Sequence, residues 1–122
     1  MLNLGAATRV YLAAGATDMR KGFEGLFVLA KTFSGVDPLS GHVFVFCNRN
    51  RDRIKVLYFD GSGLWVCAKR LEGGRFRWPP RGQGNETMTL SRTELALLLE
   101  GIDLEQINQR RGCYRHEFGA GG

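Results

Sequence analysis

The sequence predicts an α+β fold: an antiparallel β-meander of about four to five strands with two helices packed on it. Three observations point there. Between His42 and Trp78, β-branched and aromatic runs alternate with glycine-bearing turns at short intervals. From Asp18 to Ser34 the apolar residues recur with a helical period instead. Further on, Ser91-Arg-Thr-Glu94 has the spacing of a capping box ahead of a leucine-rich stretch.

Taken in order, Val10-Tyr11-Leu12 is a short β-prone piece, expected at a sheet edge. Met19, Phe23, Leu26, Phe27, Ala30 and Phe33 then lay one apolar stripe along a helix from about Met19 to Ser34. Thr17 or Asp18 is its natural N-cap and Gly35 its stop. Gly22 and Gly25 weaken such a helix by about 1 kcal/mol each, which suggests close backbone packing on their side. His42 to Cys47 is apolar on both faces and reads as a central strand. Arg49 to Asp52 forms a polar turn, and Ile54 to Phe59 is the returning strand, so the hairpin has a cationic tip. Asp60-Gly-Ser-Gly63 leads into Leu64 to Leu71, where Trp65, Cys67, Lys69 and Leu71 share a face. Glu72-Gly-Gly-Arg75 is a third turn, with Phe76-Arg-Trp78 as the fourth strand of the meander before Pro79-Pro80 ends the pairing. After a Pro/Gly-rich loop at 79–86, Met88 to Leu90 can add a short strand, and a helix follows from about Arg92 to Glu100 with Gly101 beyond it.

The 122 residues suit one domain, expected over 1–108, with 109–122 as a flexible tail. Hydrophobic residues at 43% and charged residues at 24% are enough to fold and argue against disorder. No apolar run reaches the 18 or so residues of a membrane span, and no charged segment followed by an apolar stretch opens the chain, so a cytoplasmic protein is expected. Cys47, Cys67 and Cys113 are odd in number and lack a C-x-x-C pair, and His42 and His116 are scattered; neither a disulfide framework nor a metal centre is implied, and no cofactor is expected.

The net charge of +5 is concentrated. Residues 49 to 81 hold nine Lys or Arg against three acids, while the remainder carries eight against nine. Nucleic acid attracts such a surface through counterion release. The candidate nucleic-acid-binding residues are therefore Arg49, Arg51, Arg53, Lys55, Lys69, Arg70, Arg75, Arg77 and Arg81, with Trp78 or Phe76 available for base stacking. Nine cations in 33 residues exceed what blocking a sheet edge against aggregation needs.

Val10 to Phe23, Asp37 to Phe46, Arg53 to Trp65, Lys69 to Pro79 and the closing Leu-Leu-Leu-Glu-Gly-Ile-Asp103 together resemble the TnpB accessory proteins of insertion-sequence family sixty-six, over about Val10 to Asp103. The resemblance implies a non-catalytic aid to DNA transposition, with the element's larger transposase and a second accessory protein as partners. It supplies no catalytic residue.

Two other functions compete. One is a protein-interaction module that docks through the sheet's aromatic face or the Ser91 to Gly101 helix onto the transposase or the other accessory protein, with no direct DNA contact. The other is an enzyme gathering Asp18, Asp60 and Glu94 or Glu100 around magnesium. The acids have simpler local roles as a helix cap, a glycine turn and a capping box, so no enzyme is expected. His42 reads as a structural histidine, and Trp65 as a core residue.

Overall fold

A computed structural model describes residues 7–78 and 88–101. Its elements are β1 (Val10–Ala16), α1 (Phe23–Ser34), β2 (Val43–Cys47), β3 (Arg53–Phe59), β4 (Leu64–Arg70), β5 (Met88–Leu90) and α2 (Arg92–Leu99), with a 3₁₀ turn at Pro38–Ser40. The fold is α+β, built on one five-stranded sheet in the order β4-β3-β2-β1-β5. It is mixed rather than strictly antiparallel, because β1 pairs parallel to β2 while the other pairings are antiparallel. The segment expected at an edge is thus an interior strand: Val10, Tyr11 and Leu12 are held between Val43–Val45 on one side and Leu90–Met88 on the other. The meander is correspondingly shorter, β2-β3-β4, since Phe76-Arg77-Trp78 forms no strand.

The sheet is covered on both faces, which is why β2 is apolar at every position and buried along its whole length. On one face, α1 packs Leu26 and Ala30 against Tyr11, Phe44, Phe46 and Leu57. Phe33 meets Phe44 and Phe46 edge-on, with ring centroids at 6.3 and 5.8 Å. The opposite face carries Val10, Leu12, Val43, Val45, Ile54 and Val56 under Leu95 and Leu98 of α2 and the buried ring of Phe76. β1, α1 and β2 make a βαβ unit, and β2 opens the β2-β3-β4 meander whose last strand lies at the edge.

α1 begins four residues later than its apolar stripe suggests. Gly22 is the N-cap and provides no side-chain bond. Asp18 instead accepts from the Arg20 backbone N–H and grips the Arg20 guanidinium, which holds residues 18–20 in a turn. Nor do the glycines mark close backbone packing: a Cβ at Gly25 would meet only the Lys21 side chain, and one at Gly22 nothing within 4 Å. The C-terminus behaves as expected, with Gly35 left-handed at φ 70° and its N–H donating to the Lys31 carbonyl. α2 opens on the full capping box, Ser91 Oγ accepting from Glu94 N–H and the Glu94 carboxylate from Ser91 N–H. Among the described residues no helix is long and apolar enough to cross a membrane. The loop expected at 79–86 and the tail expected from 109 lie outside the described residues.

Candidate nucleic-acid interface

The β2–β3 turn is organised by Asn48. Its side-chain oxygen accepts from the backbone N–H groups of Asp52 and Arg53, and its amide nitrogen donates to the Asp52 carboxylate at 2.7 Å. This clasp closes a tight turn in which Arg51 adopts a left-handed backbone, φ 61°. Arg49 and Asn50 are left exposed at the tip.

Strand register then sorts the basic residues. Arg53, Lys55 and Leu57 lie opposite Arg70, Ala68 and Val66, and Leu57 and Val66 belong to the α1 face. Arg53, Lys55 and Arg70 therefore share that face. Lys69 lies opposite Ile54, on the α2 face, and its ammonium donates to the Leu99 carbonyl at the end of α2. The candidate cations do not all converge on one side, because neighbouring residues of a strand point to opposite faces.

The group that does converge surrounds an open cleft of ≈ 480 Å³ between residues 17–20 and the β2–β3 turn. Arg20, Arg49 and Arg53 line it with Asn48 and Asn50, against one carboxylate, Asp18. Arg70, with an exposed ion pair to Glu72, sits directly across from Arg53. Lys55 is two residues along β3, its ammonium donating to the Lys21 carbonyl and so tying the approach to α1 onto the sheet. Two like charges opposed at Arg53 and Arg70 are unfavourable for the sheet alone and suit a surface that meets an anion. Asp18 binds Arg20 with both oxygens, at 2.8 to 3.1 Å, and this lowers its pKa from 3.8 to about 2. Asp18 thus remains charged in the cleft at neutral pH and partly neutralises Arg20.

Three other expected contacts, Arg51, Trp78 and Phe76, are spoken for. The Arg51 guanidinium turns inward, 5.4 Å over the Trp78 ring and toward the Cys47 thiol, whose pKa burial raises against a smaller lowering by Arg51. Trp78 is half-buried against the α2-face core and Phe76 is 2% exposed, so neither ring lies open for a base to stack on. Arg75 and Arg77 are exposed on either side of Phe76, whose N–H donates to the Arg51 carbonyl and holds them beside the turn. Arg81 lies outside the described residues. Trp65, expected in the core, is 48% exposed because β4 is the sheet edge; its indole N–H donates to Asp60. His42 accepts from the Arg9 N–H, a structural role. Three of the acids weighed as metal ligands are engaged locally: Asp18 with Arg20, Asp60 with its turn and Trp65, Glu94 in the capping box. Arg20 and Asn48 were not singled out by the sequence, for Arg20 lies outside the basic stretch and its proximity to Arg49 is purely tertiary.

Comparison with known proteins gives a consistent match. The family described as IS66 Orf2 like protein matches residues 8–109. The uncharacterized protein y4hO of Sinorhizobium fredii is 41% identical over 103 residues, covering 84% of this chain and 88% of its own length. A second protein of that organism, y4jC, is 33% identical over 110 residues, covering 90% of this chain and 92% of its own. No solved structure matches.

Proposed function

The chain belongs to the family of IS66 Orf2-like proteins, and from that premise we propose that it is a non-catalytic accessory protein of DNA transposition that binds nucleic acid. The contact surface is the end of the sheet where Arg49 and Arg53 meet Arg20, with Arg70 and Lys55 extending it along the α1 face. The observation that carries this reading is the open cleft holding three arginines and one carboxylate, with a fourth arginine opposite Arg53. Cations around an open concavity fit a phosphate backbone, which needs charge and reach rather than a shaped pocket. Binding of this kind is largely indifferent to sequence, so recognition of particular transposon ends falls to the transposase.

A mobility-shift titration over a salt series, on terminal-repeat and scrambled duplexes, tests the proposal. Affinity for both should fall steeply with salt, with each phosphate contact contributing about 0.9 to the logarithmic slope. Reversal of Arg49 and Arg53 to Glu should weaken both complexes alike and flatten the slope. The competing function, docking on the transposase or the second accessory protein without touching DNA, requires the opposite: no DNA complex by the purified chain, and a protein complex that survives nuclease and high salt.

A further inference from the structure

We propose that the chain forms a two-fold dimer in which the open edge of β4 pairs antiparallel with β4 of a second copy. β4 is the terminal strand, and its seven-residue register with β3 runs unbroken from Leu64 to Arg70. The Asp60 N–H donates to the Gly63 carbonyl at one end of this hairpin and the Leu71 N–H to the Asp52 carbonyl at the other. Alternation between those ends assigns Trp65, Cys67 and Lys69 to the bonds with β3, and turns the N–H and C=O groups of Leu64, Val66, Ala68 and Arg70 outward. Among the described residues those outward groups have no backbone partner. A regular edge without bulge or proline is a template for another strand.

The occupant is a second copy because β4 is complementary to itself. Its cations, Lys69 and Arg70, sit at one end, and antiparallel pairing about Cys67 carries each pair away from its like. In that register Val66 lies opposite Ala68 of the second copy, Lys69 opposite Trp65, and Arg70 opposite Leu64. Leu64 lines an apolar groove with Phe23, Phe27 and Val28, and the groove's one charged lining residue is Glu24. Arg70 of the second copy thus arrives beside Glu24, exchanging its exposed pair with Glu72 for a less solvated one. The same approach covers Phe23 and Val28, which are 52% and 61% exposed in the single chain. Sheet bonds, apolar area and opposite charge fall on one edge. The dimer does not depend on the nucleic-acid proposal; where it forms, Arg70 serves the dimer and the phosphate surface is left to Arg20, Arg49, Arg53 and Lys55.

Light scattering of the full chain across a concentration series tests it. The mass should rise from 13.6 kDa toward twice that value. Ala68→Pro removes an outward N–H that has no backbone partner among the described residues, so it should return the protein to monomer, with its unfolding midpoint little changed at concentrations where the parent chain is also monomeric. Arg70→Glu should weaken association about tenfold or more, and Glu24→Arg in the same chain should restore it. Cys67 faces Cys67 at a non-hydrogen-bonded position, where Cα atoms lie within disulfide range. Mild oxidation should therefore give a covalent dimer that Cys67→Ala abolishes and Cys47→Ala does not. A mass of 13.6 kDa at every concentration, or a dimer indifferent to both Ala68→Pro and Arg70→Glu, overturns the proposal.

Discussion

The Arg51 guanidinium carbon lies 5.4 Å from the centroid of the Trp78 ring, so a cation from the tip of the hairpin is spent on holding the fold together. The contact fastens the segment after β4 to the β2–β3 turn, alongside the bond from Phe76 N–H to the Arg51 carbonyl. Arg51→Ala is expected to lower stability by about 1–3 kcal/mol in urea unfolding, while leaving the salt dependence of DNA binding close to that of the parent chain. The reverse pattern, unchanged stability with lost binding, would place Arg51 in the interface.

The Trp78 indole nitrogen is buried and finds no acceptor among the described residues. Trp78→Phe keeps an aromatic face under Arg51 and removes that unpaired N–H. The substitution should cost little or be slightly stabilising, whereas Trp78→Ala should cost about 3–5 kcal/mol. Thermal unfolding of the two variants separates the effects.

α2 is held at both ends by polar contacts. Ser91→Ala removes the capping oxygen and should cost about 0.5–2 kcal/mol. Lys69→Met removes the ammonium from the Leu99 carbonyl and should loosen the last turn. Amide exchange at Leu98 and Leu99 should quicken in the second variant, with DNA affinity changed far less than in Arg53→Glu.

Asp18 titrates at about 2 rather than 3.8 because Arg20 binds the charged form. A carboxylate with a depressed folded-state pKa contributes its stabilisation above the unfolded value and loses it as the pH falls through the folded one. The Asp18–Arg20 clasp is therefore complete above pH 3.8 and lost toward pH 2. Carbon-detected titration of Asp18 should show the low midpoint, and Arg20→Ala should raise it part of the way toward 3.8, because the backbone N–H of residue 20 still donates to the carboxylate. Retention of the low midpoint in that variant would rule out Arg20 as its cause.

Local chemistry was legible at most places where it was self-contained, the start of α1 at Gly22 rather than Thr17 or Asp18 being the exception. The Ser91/Glu94 box, the Gly35 stop and the two hairpin turns of the meander each rest on residues within a few positions, and each is found. The parallel pairing of β1 with β2 was not legible, because Val10 to Leu12 reach Val43 to Val45 across an intervening helix and no turn residue announces it. Nor could charge density along the chain say which cations share a side. Lys69 and Arg70 are neighbours in sequence and face opposite ways, and Arg20 joins Arg49 only through the turn at residues 18–20. Phe76 and Trp65 exchanged their expected settings for the same reason: exposure follows from the strand order, which put β4 at the rim and tucked residue 76 under the sheet.

The most direct measurement compares three charge reversals in one DNA-binding salt series: Arg49→Glu with Arg53→Glu, and Lys69→Glu alone. The double reversal at the cleft should cost at least about tenfold in affinity and flatten the logarithmic salt slope by one to two contacts, with Lys69→Glu near the parent slope. Equal losses from the two faces, or no measurable DNA complex at low salt, would contradict a phosphate-binding cleft at this end of the sheet.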